Sequence, residues 1–404
     1  MFKVLAAGIS LLTVVTFVAC SSKEKVEAER SADKAAWQGK MQGMSEALSK
    51  LLPMLGSPRE FSNPSNYDSI EKNTKALAAT AHAVNMTSDS LSKDPSLPFV
   101  SGKFVADMNE AVRQLDLGNR RFARQLLRNS TSYCIACHTR TDEGRKNLNL
   151  SMTSDVSALR ALDRAEYHMA LRDFDAALGD FERVLNSPDS QIESPQAMEQ
   201  AAEKTLAVTV RVKQDPVASR KVIDKIINST WAPVYLKLNA TAWRTAIDEW
   251  SKEKPVANRT PSQQLLRAKN LLARGWRFSS SSPQSRAGLV YFLRASSILH
   301  DLLGNPSKNP AYGEGLYYAG LAAESLRDIN LWTLQDAYYE ACIRKQPYTT
   351  MAKKCYLRLE ALQLSAYADA DGAYVPAHVK DHLRELRGLA EKGEGSFLDW
   401  GSVD

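Results

Sequence analysis

Several things are scarce in this chain, and each scarcity narrows its chemistry. Histidine and cysteine are few, six and five among 404 residues. His82, His138, His168, His300, His378 and His382 form no second ligand pair beside a cysteine pair, so a four-ligand structural zinc site is not encoded. There is no Walker loop, no dinucleotide glycine fingerprint, no His-Glu-x-x-His motif and no serine-nucleophile elbow. Beyond residue 18, no apolar run approaches the roughly 18 residues that a membrane-spanning helix needs. Charge of one sign is modest. The net +6 falls by one if Lys3 leaves with a leader, which is no nucleic-acid-binding signature. The nineteen glycines and sixteen prolines sit mostly between periodic segments, as helices require. The length suggests two domains, and 44% hydrophobic content is ample for packed cores.

What is present is concentrated in Cys134-Ile135-Ala136-Cys137-His138. Cys-x-x-Cys-His is the attachment sequence of covalent c-type haem. On a helix, Cys134 and Cys137 lie about one turn apart and can form thioethers to one porphyrin. His138 then offers an imidazole to the iron as proximal ligand. A thioredoxin-like reading of Cys-x-x-Cys wants a strand-to-helix context, and no convincing strand lies nearby. One haem c is therefore the expected cofactor.

The N-terminus agrees. A short n-region, Met1-Phe2-Lys3, leads an apolar stretch from Val4 to Val18, too short to span a bilayer stably. It ends at Phe17-Val18-Ala19-Cys20, which resembles a bacterial lipobox, with Phe17 in place of the usual Leu. The resemblance implies a signal peptide over 1–19, lipidation of Cys20 and stable anchoring by several acyl chains. Plain signal-peptide cleavage is the alternative. Ser21 rather than Asp after the cysteine implies, by the same analogy, a periplasmic protein held at the outer membrane of a two-membrane bacterium. Residues 20–32 read as a tether. Cys342 and Cys355 flank the turn Gln346-Pro347-Tyr348 at comparable distances. They form either a disulfide, in an oxidising compartment, or two buried thiols.

Residues 33–142 divide into four amphipathic helices. The first runs from Asp33 to Leu52, closed by Pro53 and Pro58; the second from Asn66 to Thr87. Pro95 and Pro98 fall in the next loop. The third carries Phe104, Met108, Ala111 and Leu115 and stops at Gly118. The fourth runs from Asn119 into the haem motif. This order resembles the class II cytochromes c, the cytochrome c prime group, over about 110 residues. The resemblance implies an antiparallel bundle with the haem histidine on helix four and, where the sixth position is filled, a methionine from helix one. In this chain that methionine is Met41 or Met44, with Met41 preferred; ordinary core packing of both, a rival ligand in His82 and an open sixth position are the alternatives. The family's aromatic after the haem histidine is absent. Thr139-Arg140 follows instead, and Arg140 is a candidate propionate contact. Arg120, Arg121, Arg124 and Arg128 make helix four basic, read chiefly as a solvated face.

Residues 142–154 are polar and aperiodic, a linker. Residues 155–392 contain about ten helical stretches in hairpins. The segment Ala165–Ala177 leading to Phe181, and Leu316–Ala323 leading to Ala337–Cys342, resemble degenerate tetratricopeptide units without a constant period. The expected fold is all-α: a four-helix haem bundle followed by an irregular tetratricopeptide-like α-solenoid, then a tail over 393–404. Trp231, Trp243, Trp250, Trp276 and Trp332 are read mainly as core. The expected function is that of a membrane-anchored mono-haem electron carrier, not an enzyme, whose repeats dock a redox partner protein. A haem-based diatomic gas sensor and a scaffold with structural haem are the alternatives.

Overall fold

A computed structural model of the chain describes residues 35–91, 97–140, 156–157, 159–170, 173–186, 194–253, 259–280, 285–304, 309–327, 334–366, 375 and 377–391. The leader with Cys20, the tether, the linker, Trp332 and the tail beyond 391 lie outside them. Among the described residues every regular element is helical. The fold is all-α.

Helix α1 spans 35–56. Met44, Leu48, Leu51, Leu52 and Leu55 make its buried stripe, the spacing a core-facing helix requires. It does not stop before Pro53. Proline inside a helix costs about 3 kcal/mol. Burying Leu51, Leu52 and Leu55 returns about 1.5–3 kcal/mol each, so the helix continues one more turn to Gly56. Ser57 then caps the short α2 (Pro58–Ser62), its hydroxyl accepting from Glu60 N at 3.3 Å. Helix α3 spans Tyr67–Leu91, α4 Leu97–Asp116 and α5 Arg120–Arg140. Pro98 belongs to the first turn of α4 rather than to a loop; proline's missing N–H has no helical partner there.

Gly118 ends α4 as its position suggests. Its φ is 77°, the left-handed region glycine enters without penalty. Asn119 N donates to Gln114 O at 2.8 Å and Gly118 N to Leu115 O at 2.9 Å. These two bonds make a Schellman stop.

The four long helices pack up and down. Lys40 reaches Ala83 O between α1 and α3, Lys75 sits 3.6 Å from Asp116 between α3 and α4, and Tyr133 donates to Asp107 between α5 and α4. Arg124 of α5 donates to Leu55 O at the end of α1, closing the group.

The rest of the chain forms a run of paired helices: α6 Ala161–Ala170, α7 Phe174–Asn186, α8 Pro195–Leu206, α9 Pro216–Asn228, α10 Val234–Ser251, α11 Pro261–Ser279, α12 Leu289–Leu303, α13 Tyr312–Ser325, α14 Gln335–Lys345, α15 Thr350–Ala366 and α16 Ala377–Ala390. The α6–α7 hairpin buries Ala165, Ala177 and Phe181 completely, the small-residue contact read from sequence. Helix α8 passes into a π-helical segment, Ala207–Val212, which packs on α12 out of sequence order. There Arg211 donates to Ser296 and Gln214 to Ser297, both at 2.9 Å. Trp243 is fully buried and Trp250 packs on the core, as expected. Trp231 and Trp276 are about two-fifths exposed, 43% and 40%, so the core reading fails for them. The indole of Trp231 instead donates to Leu185 O, and that of Trp276 to Ser325. Cys342 and Cys355 form a disulfide between α14 and α15.

The two helix groups are not separate beads. One hydrophobic core runs from Met44 to Ala390. Helix α6 packs on α5 and α14 on α4, so the run leaves and rejoins the first four helices.

Two outcomes follow from these contacts. Gly118→Ala is expected to lower stability by about 1–2 kcal/mol, the cost of a left-handed L-residue, read by urea denaturation. His382 lies 3.2 Å from Glu340, and that hydrogen bond lifts its pKa above the ordinary value. Its contribution is complete below about pH 6.5 and is lost as pH rises through the raised value. The stability gap between the native chain and His382→Gln should therefore be open below about pH 6.5 and close as pH rises through the raised value; an unchanged gap refutes the link.

Candidate haem site

The haem motif occupies the last two turns of α5. Positions 134 and 137 share one side of that helix, as three-residue spacing demands. The side chains of Cys134, Cys137, His138 and Arg140 lie outside the described residues. What the structure supplies is the surrounding frame and its register.

Arg124 sets that register. Its guanidinium donates to Leu55 O at 2.6 Å and Gly56 O at 3.3 Å. It thus serves the last carbonyls of α1, where a cation also suits the helix dipole. The helices run antiparallel from this level. His138 lies fourteen residues after Arg124, and Met41 fourteen before Leu55. At 1.5 Å per residue both are about 21 Å up the bundle. Met41 and Met44 of α1 therefore both lie near the level of the 134–138 stretch of α5. Met41 is half-buried against the core and Met44 is buried within it. His82 is exposed, so the rival ligand does not face the interior.

A second feature lies at the same end. Trp37 precedes Met41 by one turn on the same face of α1, and its indole Nε1 is buried without a hydrogen-bond partner. Leaving such a donor unpaired costs about 1–3 kcal/mol. A polar-edged group at this end would relieve it. The donor set also fits: an imidazole and a thioether sulfur are haem-iron ligands. On position, donor chemistry and the orphaned indole, the residues fit a haem.

The arginines of α5 are not the solvated face expected from sequence. Arg120 stacks over Tyr67, 3.2 Å from the ring centroid. Arg124 is committed to α1. Arg128 lies 3.7 Å from Glu166 of α6, which also pairs with Lys204 of α8. Only Arg121 of the four is exposed without such a role among the described contacts. Burial, with Arg128 nearby, pulls the Arg124 pKa down to about 10. Burial alone would raise Glu166, but Lys204, Arg128 and Arg124 hold it below the usual carboxylate range. Arg128 is drawn to this side because α6 packs on α5 and brings Glu166, itself paired with Lys204 of α8, which no local pattern in α5 announces.

Next to the motif, Tyr133 is buried. Its hydroxyl donates to Asp107 at 2.8 Å and its ring meets Phe104 at 5.9 Å. Lys103 donates to the other oxygen of Asp107 at 2.7 Å. These residues join α4 and α5 beside the motif, and the sequence reading did not single out Tyr133, Asp107 or Trp37 as parts of the candidate site. Tyr133 beside Cys134 was the one available signal.

No metal-holding group of three or more His, Cys, Asp or Glu side chains is found among the described residues. Nor is any described helix long and apolar enough to cross a membrane. Comparison with family models, curated proteins and solved structures finds no match to this chain.

Arg124→Ala should leave the α1 carbonyls unserved and cost about 1.5–3 kcal/mol, the range for charge-assisted hydrogen bonds. Arg121→Ala should change stability by less than about 0.5 kcal/mol. Denaturant midpoints of the two variants check the contrast.

Proposed function

We propose that this chain is a membrane-anchored mono-haem c-type cytochrome that carries electrons in the bacterial periplasm. Cys134 and Cys137 hold the porphyrin through thioethers, and His138 ligates the iron. Met41 is the preferred sulfur ligand opposite, with Met44 the alternative. The bound haem supplies a one-electron Fe(II)/Fe(III) couple. The chain's own residues set its surroundings: Phe104 and Tyr133 wall the haem end on α4 and α5, Trp37 and Arg140 are polar contacts for the propionate edge, and burial and axial ligation tune the potential. The observation that carries this reading is the Cys-x-x-Cys-His sequence on the last turns of α5, with Met41 and Met44 near its level.

In this reading the first four long helices are a haem bundle of the class II type. The paired helices after them are an irregular tetratricopeptide-like solenoid, whose surface docks a redox partner protein. Cys20 carries the lipid anchor, and the mature protein sits in the periplasm at the outer membrane. The disulfide between Cys342 and Cys355 supports an oxidising compartment, where c-type haem attachment also takes place. The reading includes neither an enzymatic step nor a nucleic-acid partner.

Two measurements on purified full-length protein test it. Intact mass should show one covalent haem, lost in the Cys134→Ser/Cys137→Ser double variant. The optical spectrum should be six-coordinate and low-spin, turning high-spin in Met41→Ala and changing less in Met44→Ala. A protein without covalent haem would sink the proposal. A five-coordinate spectrum that ignores both methionine substitutions and responds to carbon monoxide would replace electron transfer by gas binding.

A further inference from the structure

Helix α10 leaves a carbon face open. Trp231, just before it, and Val234, Leu238, Thr241 and Thr245 along it follow one another at steps of three and four residues, and all five are exposed. That spacing is the seam of a helix that packs against another helix. None of the five is charged. Val234 is 75% exposed, Leu238 68%, and Trp231 and the adjoining Tyr235 43% each.

The polar atoms of this face are already committed to the chain itself. The Thr241 hydroxyl donates to Lys237 O at 2.8 Å and the Thr245 hydroxyl to Thr241 O at 3.2 Å. The Trp231 indole donates to Leu185 O at 3.3 Å, and the Tyr235 hydroxyl lies 3.5 Å from Glu199 of α8. Covering the face therefore strands no indole or hydroxyl donor, the usual penalty for burying polar groups. At a bilayer surface the polar edges of Trp and Tyr lie in the wet headgroup layer; here they are turned into the protein.

Size and charge fit a second copy of this chain. The five residues and Tyr235 open on the order of 500 Å² of side chain, near the upper end of what a monomer leaves as one apolar patch. A standard interface takes about 800 Å² per partner, with an apolar centre and a polar rim. The rim here carries both signs. Lys237 lies on one flank of the seam, together with Arg244, which is 3.7 Å from Asp224 of α9. Glu199 lies beyond Tyr235 on the other flank. Lys237 and Tyr235 are close in sequence on α10, about 3 Å apart along its axis. A two-fold axis parallel to α10 therefore meets seam with seam and sets Lys237 of each copy opposite Glu199 of the other.

We propose that the chain forms a two-fold homodimer through α10, seam against seam, with Lys237 and Glu199 paired across the rim. Closed two-fold dimers of this kind use one self-complementary patch twice. The contact lies apart from α1 and α5 and does not rest on the cytochrome reading.

The test is sedimentation equilibrium of purified full-length protein from about 1 to 100 μM, in detergent of matched density so that a lipid anchor adds no buoyant mass. The native chain should pass from one copy to two across this range. Leu238→Arg, at an exposed position the fold should tolerate, should raise the dimer dissociation constant at least about thirtyfold, the loss of a hot-spot residue. Glu199→Lys should weaken the dimer, and Lys237→Glu added to it should restore it, because the pair is then reversed. Leu357→Arg on α15, half exposed and outside this face, should leave association unchanged. A native chain that stays single throughout overturns the proposal. So does a dimer that Leu238→Arg leaves intact, one that Leu357→Arg breaks equally, or a double variant no tighter than Glu199→Lys alone. A single native chain that floats with phosphatidylglycerol vesicles only while Leu238 is present would also overturn it, making a lipid surface the occupant. Each of these results leaves the cytochrome reading standing; absence of covalent haem removes that reading and leaves the dimer untouched.

Discussion

A single buried guanidinium organises the first half of this molecule. Arg124 leaves α5 and donates to the final carbonyls of α1. That contact joins the first and last helices of an up-and-down group and fixes how far each has advanced along the common axis. Everything at the far end follows from this alignment. Met41 and Met44 meet the level of the 134–138 stretch because both helices climb at the same rise from one shared point. Slip α5 by one residue and every side chain rotates about 100° about its axis, so the register is as important as the motif.

The same helix ties the two helix groups together. Arg128 lies near Glu166 of α6, which pairs with Lys204 of α8. A charge cluster buried this deeply is favourable only when each member is partnered, since an isolated ion in the interior costs several kcal/mol. At the other side of the bundle, α14 closes on α4. The run of paired helices therefore begins and nearly ends on the first helix group, and the core is continuous across both.

Helix positions were largely legible in the sequence because apolar spacing and end signals are local. Gly118 stops α4 by the backbone geometry only glycine takes easily, and the α6–α7 hairpin buries the small residues that marked it. Pro53 misled because its local penalty was weighed without the burial of Leu51, Leu52 and Leu55 around it. The arginines of α5 misled for the same reason. A basic stripe looks solvated until other elements meet it, and Tyr67, the end of α1 and Glu166 all lie outside α5. Trp231 and Trp276 show the converse: large aromatics expected inside stay partly exposed, their indoles donating to Leu185 and Ser325.

The sequence by itself determined the all-helical class and the place of the Cys-x-x-Cys-His stretch at the end of a helix. Those depend on residue type, spacing and 3.6-residue periodicity, which are properties of a single segment. The tertiary structure decided the alignment of α1 with α5, the pairing of Arg124 and Arg128, the bond between Cys342 and Cys355, and the meeting of Tyr133 and Asp107. Each joins residues on different helices. Their encounter depends on which faces bury together across the whole chain, and that balance of packing and charge is not written in any one stretch of it.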